Sequence, residues 1–222
     1  QEFTITVENT NDAPVFTSTP VDTVFEDAVY SYQVVVEDID VGDVLIITGQ
    51  YPDWLTLVDN GDGTALLSGT PTNDDVGDHS VVLVVFDGFV RLQVTQEFTI
   101  TVSNTNDAPV FTSTPTTSAV EDAGYSYTAA ASDIDVGDNL TYAAPTLPGW
   151  LTFDVATQIL SGTPLNDDVG THEVVLSVTD LEGATAGQLF TISVSNTNDA
   201  PVFTSVPIEE ATEDTGYSYT MV

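Results

Sequence analysis

The chain has 222 residues, with 35 Asp and Glu against a single basic side chain, for a formal net charge of −34. So few cations exclude nucleic acid as a partner, because almost nothing can meet a phosphate, and no apolar run is long enough for insertion into a membrane. Yet 41% of the residues are hydrophobic, too many for a disordered acidic tail, so the charge belongs to a folded protein whose self-repulsion calls for counter-ions.

Cysteine is absent, which excludes disulfides and thiolate metal sites. Lysine is absent too, which excludes Lys–Asn isopeptide cross-links. Oxygen-ligated metal is the strong staple that remains.

The elements repeat. Asn-Asp-Ala-Pro-Val-Phe-Thr-Ser stands at Asn11–Ser18, Asn106–Ser113 and Asn198–Ser205. Glu26-Asp27, Trp54-Leu55 and Ser68–Pro71 return in step as Glu121-Asp122, Trp150-Leu151 and Ser161–Pro164. Repetition at this period divides the chain into modules. Residues 1–12 read as the last strand and linker of a preceding repeat, 13–107 and 108–200 as two complete repeats, and 201–222 as the start of a third. The end pieces are too short to bury a core. They read as cuts from a longer array or as edges completed by a neighbouring molecule.

In chain order, the first repeat reads as strand A near Phe16, B over Tyr30–Val36, C over Val44–Ile47, D over Leu55–Val58, E over Ala65–Leu67, F over Ser80–Phe86 and G over Phe98–Val102. Alternation such as Phe98, Ile100 and Val102 against Thr99 and Thr101 makes one face apolar. No segment keeps a helical period. The fold expected is all-β: Greek-key β-sandwich domains of about seven strands each, repeated in a linear array. Trp54 and Trp150, beside prolines and leucines, read as core plugs, and His79 and His172 as structural residues at the start of strand F.

Antiparallel succession places each loop at a pole. The A–B and E–F loops and the exit from G fall at the lower pole, which puts Glu26, Asp27, Asp74, Asp75, Asn104, Asn106 and Asp107 there. In the second repeat Asp133 and Asp135 follow strand B and Asp180 ends strand F, at its upper pole. Acids from adjoining repeats therefore converge. Two carboxylates about 5 Å apart repel by roughly 3 kcal/mol at an effective dielectric near 20, so such a set calls for a cation. Calcium takes about 6–8 oxygen ligands of mixed type, whereas magnesium wants a small rigid octahedron and zinc wants His or Cys. The plain alternative is that Asp and Asn simply solvate turns, which they favour. The tract Asp59–Gly63 reads as the D–E turn only, and Asp43 and Asp138 as weaker outer ligands.

Taken together, Glu-Asp before Tyr-x-Tyr, Asp-x-Asp after it, Trp-Leu, Leu-Ser-Gly-Thr-Pro, Asp-Val-Gly-x-His, Phe-Thr-Ile and Asn-Asp-Ala-Pro resemble the dystroglycan-type cadherin-like domains of large bacterial surface and secreted proteins. The resemblance covers both repeats and both end pieces. It implies a cadherin/Ig-like fold and calcium ligands at Glu26, Asp38, Asp40, Asp87, Asn104, Asn106 and Asp107, followed by Glu121, Asp133, Asp135 and Asp180. Asp122 pairs with Glu121 as Asp27 does with Glu26. The correspondence of Asp74, Asp75, Asp167 and Asp168 is looser. Asn9, Asn11 and Asp12 at one end, and Asn196, Asn198 and Asp199 at the other, would each build half a site.

The function expected is a calcium-stiffened spacer of an extracellular bacterial fibre or adhesin. Its partners would be neighbouring repeats of the same chain and identical chains in a fibre. The alternative is a calcium-dependent carbohydrate-binding or homophilic module. No nucleophile–base set or phosphate-cradling glycine loop points to an enzyme.

Overall fold

The structure is a computed structural model that describes every residue except Asn9, Val41 and 89–92. It clusters into two compact units.

The first unit holds two four-stranded sheets. One has the order β1 (Val15–Phe16), β3 (Tyr30–Glu37), β6 (Thr64–Gly69), β5 (Leu55–Asp59); the other has β2 (Thr23–Phe25), β8 (Gln93–Ser103), β7 (Gly77–Phe86), β4 (Ile46–Gln50). Period-two alternation sends Tyr30, Tyr32, Val34 and Val36 of β3 inward, against Val81, Leu83 and Val85 of β7 and Ile100 of β8. Each such side chain contributes about 1.5–3 kcal/mol by leaving water. Trp54 plugs one end of this core, edge-on to Tyr30 with ring centroids 5.8 Å apart. The recurring Ser-Gly-Thr-Pro has a steric cause: a Cβ on Gly69 would run into the Trp54 carbonyl oxygen, and one on Gly162 into that of Trp150.

Strand A is the main departure from the expected layout. It is divided: β1 pairs antiparallel with β3, while β2 pairs parallel with β8 in the other sheet. Strand C is shifted, because its pairing with β7 begins at Ile46↔Phe86 and runs to Gln50↔Val82. D and E keep the expected centres and extend by a residue or two, and F and G begin earlier than expected.

The second unit repeats the plan with β9 (Val110–Phe111), β10 (Ser118–Val120), β11 (Tyr125–Thr128), β12 (Ala131–Ser132), β13 (Thr141–Thr146), β14 (Leu151–Asp154), β15 (Ile159–Gly162), β16 (Gly170–Thr179) and β17 (Thr185–Ser195). Its sheets run β10-β17-β16-β13 and β11-β15-β14, with β9 paired to β12. Here strand B is interrupted between β11 and β12. Alanines 129–131 stand where the first repeat has Val34–Val36, and alanine has the weaker strand propensity. Leu160, Val174, Leu176 and Ile192 form its core, with Trp150 edge-on to Tyr125 at 5.7 Å.

In the segment 201–222, Ser205 and Tyr219 share a hydrogen bond of 2.5 Å and Tyr217 donates to the Ile208 carbonyl at 2.6 Å. The matching pairs in the two complete repeats are Ser18 with Tyr32, Tyr30 with Val21, Ser113 with Tyr127, and Tyr125 with Thr116.

Candidate metal centres

Chain ends and turns place the acids. Glu26 follows β2, and its N–H donates to the Ser103 carbonyl at the end of β8. The next N–H, that of Asp27, donates to Pro71 beyond β6. Three chain segments thus meet at one end of the first unit. Asp38 and Asp43 follow β3, and Asp87 follows β7. Because β3 runs eight residues between Glu26 and Asp38, the two ends lie about 26 Å apart at 3.3 Å per residue.

At the first end, carboxylate oxygens of Glu26, Asp107 and Asp135 lie within 4.8 Å of one another, and those of Asp133, Asp135 and Asp138 do the same. The segment Asp133–Asp138 follows β12 in sequence but belongs to the first compact unit. Asp135 is common to both triads. Glu26 is 2% exposed and Asp135 7%. Oε1 of Glu26 accepts the Thr105 N–H at 2.6 Å, whereas its Oε2 is buried with no hydrogen-bond partner. Oδ2 of Asp135 accepts the Asp107 N–H at 2.8 Å, and the Asp135 N–H donates to Oδ1 of Asp133 at 3.1 Å. Oδ2 of Asp133 is again buried without a partner.

The second end holds Asp38, Asp43 and Asp87, also within 4.8 Å of one another. Its bonds reproduce those of the first: Oδ2 of Asp40 accepts the Asp12 N–H at 2.6 Å, and the Asp40 N–H donates to Oδ1 of Asp38 at 2.9 Å. Asn11 donates through Nδ2 to Oδ2 of buried Asp87 at 2.9 Å. Burial, and then the negative charges of Asp38, Asp40 and Asp87, push the Asp43 carboxyl above its ordinary pKa. Oδ2 of Asp38 and of Asp43 are buried and unpartnered.

A buried charged oxygen with no donor costs several kcal/mol unless a cation meets it. These sets offer carboxylates with asparagine beside them, without imidazole or thiolate, which is the donor chemistry of a hard divalent ion. The residues therefore fit calcium. Glu26, Asp107, Asp133, Asp135 and Asp138 would hold it at one end, and Asp38, Asp43 and Asp87 at the other.

The remaining candidates lie in turns, on the linker and in the second unit. Asp27 and Asp122 are exposed at φ of 58° and 60°, left-handed turn positions that aspartate tolerates better than most side chains. Asp74 is exposed. Oδ2 of Asp75 caps its own turn by accepting the N–H and hydroxyl of Thr72, both at 2.9 Å. Asp168 does the same for the Leu165 N–H, while Asp167 is exposed. His79 and His172 donate to the carbonyls of Asp75 and Asp168 at 2.6 Å and lie edge-on to Trp54 and Trp150. Asn104 and Asn106 are exposed on the linker, Asn106 donating to the Asp107 carbonyl.

In the second unit, buried Glu121 accepts the Thr197 N–H at 2.9 Å. Asp180 closes the turn after β16 by accepting the N–H groups of Gly183 and Ala184. Asn196, Asn198 and Asp199 are exposed. Asn9 lies outside the described residues. The D–E turn is built as expected, with Asp62 accepting both the N–H and the hydroxyl of Thr64; these bonds, the hydroxyl's first, hold its pKa below the usual value. One contact escaped the sequence reading. Asn73 donates through Nδ2 to Oδ1 of Asp135 at 3.0 Å; the recurrence of Asn-Asp-Asp at 73–75 and 166–168 was the available signal.

Comparison with known proteins agrees with this architecture. Among solved structures, protocadherin gamma B2 extracellular cadherin domains 1–5 match at a TM-score of 0.58 and 19% identity, over 86% of this chain and 42% of that one. Human protocadherin-24 EC1-2 matches at 0.52 and 22%, over 85% and 100%. An endo-fucoidan hydrolase of glycoside hydrolase family 107 is 32% identical over 84% of this chain, which spans 29% of that enzyme; at its TM-score of 0.38 this likeness bears on neither fold nor activity. No curated protein matches the chain. Among the described residues no helix is long and apolar enough to cross a membrane. The family model described as "Putative Ig domain" matches residues 13–103 and again 108–195, and the chain belongs to that family, as two tandem cadherin-like β-sandwich domains.

Proposed function

We propose that the chain is a calcium-stiffened structural stretch of an extracellular bacterial fibre or adhesin, of the dystroglycan-type cadherin-like kind. One observation carries this reading: the Glu26 carboxylate is buried beside Asp107 and Asp135 with Oε2 unpartnered. Calcium bound there ties the linker to Glu26 and to the loop that follows β12. Without the ion these carboxylates repel by about 3 kcal/mol per pair at 5 Å and an effective dielectric near 20, and the linker loosens. Pro109 already limits bending, since its ring fixes its own φ and biases Ala108 to extended geometry. A chain with almost no basic residues and no disulfide suits a saline exterior where divalent ions are plentiful. The description of the protocadherin domains as extracellular agrees with that setting.

Small-angle scattering of the whole chain in millimolar calcium, and again with excess chelator, tests the proposal. The chain becomes more flexible and its distribution of dimensions broadens on chelation. Identical profiles in the two conditions contradict it.

A further inference from the structure

We infer that Asn73 is a positioning residue that sets the Asp135 carboxylate for the cation, an assignment that rests on the calcium reading above. Asn73 opens the single 3-10 turn Asn73–Asp75 between β6 and β7. Of the three side chains in that turn, both aspartates are accounted for otherwise. Asp75 is committed to Thr72, and Asp74 is exposed to solvent. Asn73 alone of the three reaches the acidic set, donating to Oδ1 of Asp135 at 3.0 Å.

Asp135 is the carboxylate common to both triads. Its Oδ2 is held by the Asp107 N–H and its Oδ1 by Asn73. Two donors, one on each oxygen, fix the plane of the carboxylate while each oxygen keeps a lone pair for an ion. The site itself does not rest on clustered acids alone, since Glu26, a member of the first triad and 2% exposed, has a buried Oε2 with no hydrogen-bond partner. An amide suits position 73 for a specific reason. It supplies a proton to Asp135, whereas aspartate there could only accept and would add a negative charge against its neighbour. Partners that orient a metal-binding carboxylate are commonly worth about 10–100-fold in metal affinity.

Calorimetric titration of calcium into the whole chain tests this with Asn73→Ala and Asn73→Asp, and with Asn166→Ala in the matching, exposed turn of the second repeat as control. Asn73→Ala weakens calcium binding about tenfold or more; in chelator it stays folded but melts lower than the wild type, because a donor to the buried Asp135 carboxylate is lost. Asn73→Asp keeps the shape of the side chain and also binds more weakly, and Asn166→Ala binds as the wild type does. Wild-type affinity in Asn73→Ala overturns the assignment and leaves the calcium reading standing, as does tighter binding by Asn73→Asp, which would make position 73 a ligand rather than a donor. Absence of calcium binding by the wild type overturns both.

Discussion

The backbone N–H of Thr105 donates to Oε1 of Glu26 at 2.6 Å, which commits one oxygen of a buried carboxylate to the linker and leaves Oε2 without a partner. Thr197 and Glu121 make the corresponding bond at 2.9 Å in the second unit. A glutamate that anchors the linker after its own domain is thus part of the repeat, and the charge it carries is a cost when no cation is present.

Glu26→Gln accordingly changes stability in opposite senses with and without calcium. In chelator the variant is more stable than the wild type by about 1–3 kcal/mol, since an amide replaces a buried charge that has a free oxygen. In calcium the order reverses, because a ligand has been lost. Melting followed by circular dichroism in the two conditions reads both signs; a variant less stable than the wild type in chelator contradicts the account.

Asp27, one residue on, behaves differently. Its φ of 58° is a conformation that glycine adopts freely. Asp27→Gly leaves stability within about 0.5 kcal/mol of the wild type, whereas Asp27→Ala loses about 1 kcal/mol. Both variants keep the calcium affinity of the wild type, because Asp27 stands outside the gathered carboxylates. Urea titration and calorimetry check the two halves of this prediction.

How far the sequence could be read follows from what each pattern encodes. Alternation along Phe98–Val102 and Tyr30–Val36 marks inward faces, so the sandwich and the sorting of loops to poles were legible. The division of strand A was not, because two- and three-residue strands either side of Pro20 carry no period of their own and are set by the sheet each one meets. The same limit explains strand C, whose bounds come from pairing with β7 rather than from its apolar run. At the acidic sets, charge identifies candidates without saying which are occupied locally. Asp75 is taken by Thr72, Asp27 occupies a left-handed turn position, and the neutral Asn73 is the side chain of its turn that bonds to Asp135.

Core truncation separates the two units. Leu83 in the first and Leu176 in the second are both fully buried. Leu83→Ala and Leu176→Ala each destabilise their own unit by about 2–5 kcal/mol through lost burial and a residual cavity. Differential scanning calorimetry in chelator detects the loss; a change under 1 kcal/mol in either contradicts the packing described.

Alkaline unfolding follows from the buried tyrosines. Burial, and then the neighbouring Tyr127, push the Tyr125 hydroxyl up to about 12. The unfolded chain ionises it near the ordinary value of 10.0, so the folded state holds the proton more tightly. Its contribution is fully present below pH 10 and declines between pH 10 and 12. Tyr125→Phe removes this step while forfeiting the bond to the Thr116 carbonyl, worth about 1 kcal/mol. Denaturant midpoints across that pH range check it.

The most direct measurement is a crystal structure of the chain grown in millimolar calcium, with anomalous differences to identify the ion. It is predicted to show a cation bound among Glu26, Asp107 and Asp135, with the previously unpartnered Oε2 of Glu26 among its ligands. Carboxylates turned out into water around an empty centre, at that calcium concentration, would contradict the account.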